Sequence, residues 1–394
     1  MNLRNSPSPG SRTQFPRLAV LLVSLFFSLF FPSAHAAVEV PAPPSVAARS
    51  WLLMDPASGQ LLASQSPEER LEPASLTKLM TAYVVFEALR DRKITLDQAV
   101  TVSQTAAKAG GSRMFIDPKT PVTVEDLIRG MIVQSGNDAS MALADAVAGS
   151  EEAFAQLMNR EAARMGLKNT SFTNSTGLPD PRHYSTAHDL ATITASLIRD
   201  FPERYKAYYA LKEFRYNNVT QQNRNRLLWL DPNVDGVKTG QTDAAGYCLI
   251  ASAVRGPRRL LTVVLGAGSD SMRAQESQKL LNYGFQLYES VRVYAKGATV
   301  SLIKVWKGSD RQLNAGMAND LIVSVPKGAG NKLKAEFLGR EPIIAPVAAG
   351  QEVGRVRVVL ENRVIGEYPV VALAEVPVAG FFWRTVDSMR MWLD

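Results

Sequence analysis

Hydrophobic and polar positions recur at different periods along the chain, and each period predicts a different element. Near the start, "LAVLLVSLFFSLFF" at residues 18–31 is an unbroken apolar run. "SWLLMDPASGQLLASQS" at 50–66 predicts a β-hairpin turning at Asp55-Pro56-Ala57-Ser58-Gly59. From about Pro73 to Arg199 helical spacing dominates, as in "VEDLIRGMIVQ" and "NDASMALADAVAGS", with polar loops between the runs. Strand patterns return at "NVDGVKTG", "GYCLIASAVRG" and "RRLLTVVLGA", the last two joined by a turn at Gly256-Pro257. A helix, "MRAQESQKLLNYGFQLYES", closes this region. Early strands, a helical middle, late strands and a closing helix imply one sheet assembled from both ends of an α/β (α+β) domain and covered by helices.

Beyond residue 290 the period changes. "VSLIKVW", "DLIVSVPK", "LKAEFLG", "VGRVRVVLE" and "VIGEYPVVAL" are short strand patterns separated by Gly, Pro and Asn turns, so residues 291–373 read as a small all-β domain. The tail, residues 374–394, places Phe382, Val386, Met389 and Leu393 at helical spacing, flanked by Trp383, Trp392, Arg384 and Arg390. Such an amphipathic helix suits a membrane interface, and it is too short and polar to span one. The alternative is a helix packed on the β-domain.

Composition narrows the class. Charged residues at 21% and hydrophobic residues at 46% of 394 are ordinary for a folded chain. The net charge of +7 includes three arginines from residues 1–36, a stretch without acids, which leaves +4 for the rest. That balance is not the basic stripe of a nucleic-acid binder, so no nucleic-acid partner is expected. Those arginines, the short apolar run and Ala34-His35-Ala36 predict a secretory signal peptide cut after Ala36, with an uncleaved anchor as the alternative. A single cysteine, Cys248, allows no intrachain disulfide and sits in a β-patterned apolar run as an inert thiol. Only His183 and His188 follow the signal, and no His-Glu-x-x-His motif occurs, so neither a metal nor a cofactor is expected.

Candidate chemistry begins at Ser75 and Lys78. Three residues apart on a helix, they share a face. A serine hydroxyl is a poor nucleophile until a neighbour takes its proton, and burial beside other cations lowers a lysine's pKa enough for its amine to do so. The same spacing at Ser301/Lys304 and Ser324/Lys327 falls in strand patterns, which point the two side chains to opposite faces. Two further motifs set the first pair apart. Ser135-Gly136-Asn137 offers a hydroxyl to relay a proton and an amide to hold a substrate. Lys238-Thr239-Gly240 offers positive potential, a hydroxyl for a carboxylate, and a glycine against which a substrate backbone can lie close. His183 and Asp189 suggest a Ser-His-Asp triad, but their loop-to-helix setting fits capping better.

The three motifs, in this order, resemble the serine penicillin-recognising enzymes. With "PASLTKLMTAYV", "GSRMF", "RGMIVQSGNDAS", "NRNRLLW", "VDGVKTGQT", "VVLGAGSDSMRAQESQKLLNYGF", the export signal, the β-domain and the amphipathic tail, nearly the whole chain resembles the low-molecular-mass penicillin-binding proteins that act as serine D-Ala-D-Ala carboxypeptidases. The resemblance implies a penicillin-recognising transpeptidase-like domain with an antiparallel sheet over 37–290. It implies Ser75 as nucleophile, Lys78 as general base, and Ser135 and Asn137 as the second catalytic element. Lys238, Thr239 and Gly240 would line the substrate strand, and the N–H groups of Ser75 and Gln241 would form an oxyanion hole. Many relatives have His where this chain has Gln241. Arg273 matches the family arginine near the substrate's terminal carboxylate, and Arg224 matches another active-site arginine, with a surface salt bridge as the alternative for each. The implied substrate is a peptidoglycan stem peptide ending in D-Ala-D-Ala, with β-lactams as covalent inhibitors. The implied location is the periplasmic, outer face of the cytoplasmic membrane.

Two other functions stay open at this point. A class A β-lactamase needs a Glu-x-x-x-Asn loop, and the only match between the second and third motifs is Glu213 to Asn217, crowded against the Lys-Thr-Gly strand. A silent wall-binding protein would keep the fold without the chemistry.

Overall fold

The computed structural model describes residues 40–393. The signal peptide expected over residues 1–36 lies outside them. The hairpin forms where the sequence places it, with β1 (Ser50–Asp55) and β2 (Gln60–Gln65) paired antiparallel. Strands β3 (Val234–Thr242), β4 (Gly246–Arg255) and β5 (Arg258–Ala267) complete one antiparallel sheet in the order β2-β1-β5-β4-β3. Both chain ends of the domain therefore meet in a single sheet.

All six residues of β1 are buried, because helices cover both faces of the sheet. Alternation along the strand sends Leu52 and Met54 into one core and Trp51 and Leu53 into the other. The first core holds α1 (Lys78–Arg90), α2 (Asn137–Ala148), α3 (Glu151–Arg164) and α4 (Ala187–Asp200). The second is closed by α5 (Asp270–Leu287), through Ala274, Leu280 and Leu281. In α1, all residues except Glu87 and Arg90 are buried. Such a helix is packed on nearly every side, and the lysine in its first turn is buried with it.

After Leu287 the chain turns directly into strand. The sequence pattern extended that helix to Ser290, but Tyr288–Tyr294 forms β6, because Val291 and Val293 take up a period of two. The all-β region follows with β7 (Thr299–Trp306), β8 (Gln312–Gly316), β9 (Leu321–Pro326), β10 (Leu333–Gly339), β11 (Ile343–Ile344), β12 (Glu352–Leu360) and β13 (Arg363–Ala372). Six of these form a sheet ordered β10-β12-β13-β8-β7-β11, while β6 pairs with β9. A buried polar junction ties this region to the first sheet. Asp55 accepts hydrogen bonds from Ser290 Oγ and from Ser324 Oγ (2.7 Å), and Gln60 Oε1 accepts from the Ser324 amide at 2.6 Å.

The tail forms α6 (Phe381–Leu393). Asp387, buried, accepts a hydrogen bond from the Lys307 amide at 2.7 Å, and the Arg311 guanidinium lies 4.9 Å from the Trp383 ring centre. The helix thus touches the β-domain through Asp387 and through the Trp383 ring. Phe381, Phe382, Met389 and Trp392 stay exposed, Trp392 at 88%. No helix among the described residues is long and apolar enough to cross a membrane.

Candidate active site

Ser75 sits in a 3-10 turn, Ala74–Thr77, that runs directly into α1. Pro73 suits this start, since its missing N–H is one a helix leaves unpaired anyway. Ala74 adopts φ 48°, and Gly177 secures it from the side. A Cβ on Gly177 would lie 1.8 Å from the Ala74 carbonyl oxygen, so only glycine permits that approach. Ser135 is also left-handed, at φ 66° and ψ 33°, where a wide turn over Gly130–Gln134 ends and α2 begins. Left-handed residues without glycine's freedom cost roughly 1 kcal/mol each and persist where the surroundings hold them.

The Lys78 amine is the centre of the arrangement. Its Nζ lies 3.0 Å from Ser75 Oγ, 2.7 Å from Asn137 Oδ1 and 2.6 Å from the Thr176 carbonyl oxygen. The two shortest partners accept only, so they take the two hydrogens of a neutral amine. The lone pair then faces the Ser75 hydroxyl. Burial, with the nearby Arg224 charge, pulls the Lys78 pKa from 10.5 down to about 7, against smaller opposing effects of Asp138 and Glu151. Neither carboxylate pairs with the amine. Asp138 is occupied by the amides of Met114, Phe115, Ile116 and Ala139, and Glu151 by the Ser175 amide and hydroxyl.

Lys238 reaches across from β3. Its Nζ donates to Ser135 Oγ at 2.8 Å and to the Thr239 carbonyl at 3.1 Å. Burial and the charges of Lys78, Arg224 and Arg273 hold its pKa well below the ordinary lysine range. Its positive charge in the free protein is therefore disfavoured, and a bound carboxylate would supply the missing counter-charge.

Ser75, Ser112, Ser135, Arg224, Thr239, Gly240, Gln241 and Arg273 line one small cleft of about 60 Å³. A larger groove of about 670 Å³ lies beside α1 and α3, lined by residues such as Glu87, Leu157 and Arg160. Its lining includes no serine, threonine or cysteine, so chemistry rather than size picks out the cleft.

Every site residue named from the sequence lies in or against this cleft, but four make contacts the motifs did not announce. Asn137, read as a holder of substrate amide, spends its side chain on Lys78 and on the Gly110 carbonyl, to which Nδ2 donates at 2.6 Å. Ser135 is bonded to Lys238 rather than to Lys78. Gly240 provides close approach to the turn that carries Ser75, since a Cβ there would meet the Pro73 carbonyl at 3.1 Å and Ala74 Cβ at 3.2 Å. Arg273 donates to the carbonyls of Gly240 (3.0 Å) and Cys248 (3.3 Å) and pairs with Asp270. Arg224, in contrast, makes neither an ion pair nor a hydrogen bond among the described residues and projects into the cleft.

The Thr176 carbonyl escaped sequence reasoning, because a main-chain acceptor leaves no mark on residue identity. His183 is no triad member. It is buried, its Nε2 pairs with Thr77 Oγ1 at 2.8 Å, and burial lowers its pKa to about 4. Asp189 accepts from the Asn169 amide and Thr170 hydroxyl. Glu213 is exposed on a short hairpin, Glu213–Tyr216 with Val219–Gln222, and neither it nor Asn217 lines the cleft. Cys248 is buried, and its thiol pKa is raised to about 11.

An antiparallel sheet between helical layers, a serine and a buried amine where a helix starts, and a facing Lys-Thr-Gly strand together define the penicillin-recognising class of serine enzymes. Comparison with known proteins is specific within that class. The D-alanyl-D-alanine carboxypeptidase family pattern matches residues 37–269, and that of the penicillin-binding protein 5 C-terminal domain matches residues 288–378. The chain is 46% identical to D-alanyl-D-alanine carboxypeptidase DacC of Escherichia coli (strain K12), over 93% of this chain and 94% of that one. Penicillin binding protein 5 from Haemophilus influenzae superposes with a TM-score of 0.81 at 41% identity, covering 85% of this chain and 99% of its own. Penicillin-Binding Protein D2 from Listeria monocytogenes, in an ampicillin-bound form, has a TM-score of 0.57 at 30% identity, covering 61% of this chain and all of its own. The chain belongs to the D-alanyl-D-alanine carboxypeptidase family.

Proposed function

We propose that the chain removes the terminal D-Ala from peptidoglycan stem peptides ending in D-Ala-D-Ala, through an acyl-enzyme on Ser75. The observation that carries this reading is the buried Lys78 amine, 3.0 Å from Ser75 Oγ and with a pKa of about 7. A hydroxyl facing a neutral amine can surrender its proton as it attacks. Ser75 Oγ adds to the carbonyl of the penultimate D-Ala while its proton passes to Lys78 Nζ. The amides of Ser75 and Gln241 receive the negative charge that forms on the carbonyl oxygen, and only a backbone N–H is asked of Gln241. The bond to the terminal D-Ala breaks, and its nitrogen takes the proton that Lys78 received, with Ser135, held by Lys238, as relay, so that Lys78 is neutral again. Water then cleaves the ester, freeing the shortened stem and restoring Ser75. Thr239, Lys238, Arg224 and Arg273 surround the terminal carboxylate. β-Lactams present a strained amide and a carboxylate to the same groups, and acylate the same serine.

The chain is exported and works at the outer face of the cytoplasmic membrane. The signal sequence supports export, and the exposed aromatic face of α6 supports peripheral attachment. Residues 291–373 act as a stalk. Deleting residues 377–394 releases an active enzyme from membranes, whereas persistent retention overturns the anchoring role.

Mass spectrometry of muropeptides before and after incubation tests the activity. Pentapeptide stems lose one alanine with wild type and none with Ser75→Ala. Unchanged pentapeptides with folded wild type would refute the reading.

A further inference from the structure

Among the described residues, the turn Asn223-Arg224-Asn225 carries the one cleft arginine without a hydrogen-bond or ion-pair partner, and its two asparagines are built into the fold. Asn225 is only 1% exposed. Its Nδ2 donates to the Gly236 carbonyl on β3 at 2.9 Å, and its Oδ1 accepts from the Leu227 amide at 3.1 Å. Its own amide donates to Asn223 Oδ1 at 2.9 Å. Asn223 in turn binds the Leu211 carbonyl through Nδ2 (2.9 Å), and its amide binds the Lys212 carbonyl (2.7 Å). Gly236 stands two residues before Lys238, and Tyr205 closes on it so tightly that a Cβ would lie 2.3 Å from the phenol oxygen. The segment that carries Arg224 is therefore clamped to the strand that carries Lys238 and Thr239.

We propose that Asn225 is a positioning residue for substrate carboxylate recognition, holding the Arg224 guanidinium at a fixed offset from Lys238 and Thr239. Arginine's fork rewards a carboxylate only at defined geometry, and a long exposed side chain on a loose turn would lose much of that gain to side-chain entropy. Arg273 has already committed its guanidinium to two carbonyls and Asp270, so geometry-dependent discrimination falls on Arg224. Asn225 itself touches no substrate. The proposal rests on the carboxypeptidase reading of the cleft.

The test compares acylation of wild type, Arg224→Ala, Asn225→Ala, Asn225→Ser and the Arg224→Ala/Asn225→Ala double variant. Each is offered a D-Ala-D-Ala peptide and the same peptide ending in a neutral carboxamide. Asn225→Ser keeps an uncharged hydroxyl acceptor for the Leu227 amide and removes the donor to Gly236, so it covers the case in which the alanine variant fails to fold. Wild type should prefer the carboxylate peptide. Arg224→Ala and both Asn225 variants should each lose about tenfold of that preference, in KM more than kcat, with the double variant no worse than Arg224→Ala (a coupling of about 1.4 kcal/mol). Equal loss on both peptides, additive losses in the double variant, or intact preference in folded Asn225 variants would each overturn the proposal. A wild type that acylates with neither peptide removes the carboxypeptidase reading and this proposal with it, an outcome distinct from the other three.

Discussion

Replacing Lys78 with methionine should reveal, in protein stability alone, how far the amine's proton has been loosened. In the unfolded chain this lysine titrates near 10.5, and in the folded protein near 7. Between those values the unfolded state binds the extra proton, so wild-type stability rises with pH across the window and the cost is greatest below about pH 7. At 1.36 kcal/mol per pKa unit, the cost is roughly 4 kcal/mol at pH 7 and roughly 2 kcal/mol at pH 9. Lys78→Met removes this dependence. It also leaves Asn137 Oδ1 and the Thr176 carbonyl without a donor, a penalty of about 1–3 kcal/mol each that does not vary with pH. The difference between variant and wild type should therefore move by about 2 kcal/mol in favour of wild type from pH 7 to pH 9, whatever its absolute sign. Lys238 adds to the same trend, because losing the Lys78 charge relieves its own depressed pKa. Urea unfolding of both proteins at pH 7, 8 and 9 reads the shift. A difference constant across that range would mean that the amine keeps an ordinary pKa, and the case for it as a base would fail.

Three further outcomes follow from contacts around the cleft. Gly177→Ala places a methyl group on the Ala74 carbonyl at a φ of 82°, and should cost at least about 3 kcal/mol in chemical denaturation. Binding of a carboxylate-bearing ligand should raise the depressed Lys238 pKa, so binding should draw protons from solution at pH values below the ordinary lysine range; calorimetry in buffers of different ionisation enthalpy measures this, and proton release would contradict it. Cys248, buried with its thiol pushed up to about 11, should resist alkylation at pH 8 until the protein is unfolded, as a thiol-reactive mass tag will report.

The sequence made the three motifs legible because each is local: Ser75 and Lys78 share a helix start, Ser135 and Asn137 flank one glycine, and Lys238 to Gly240 are consecutive. Strand and helix periods likewise exposed the sheet assembled from both chain ends. What stayed hidden depends on partners distant in sequence. Asn137's work on Lys78 and Gly110, the commitment of Arg273 to carbonyls, and the role of Gly240 against Pro73 arise only once β3 packs on the turn that carries Ser75. The Glu213–Tyr216 hairpin and β8, Gln312–Gly316, were missed because both are short and rich in polar residues, with little periodic signal to read. Tyr288–Tyr294 was partly absorbed into the preceding helix for a related reason. Its polar first residues continue a helical pattern acceptably until the alternating valines assert a strand.

The most direct measurement is the second-order rate of Ser75 acylation by a tagged penicillin as a function of pH, followed by intact-protein mass spectrometry. Under those conditions the acid limb reports groups of the free protein. It should rise with a midpoint near 7, and Ser75→Ala should remain unlabelled throughout. An acid limb centred near 10, or labelling that survives the loss of Ser75, would contradict the account.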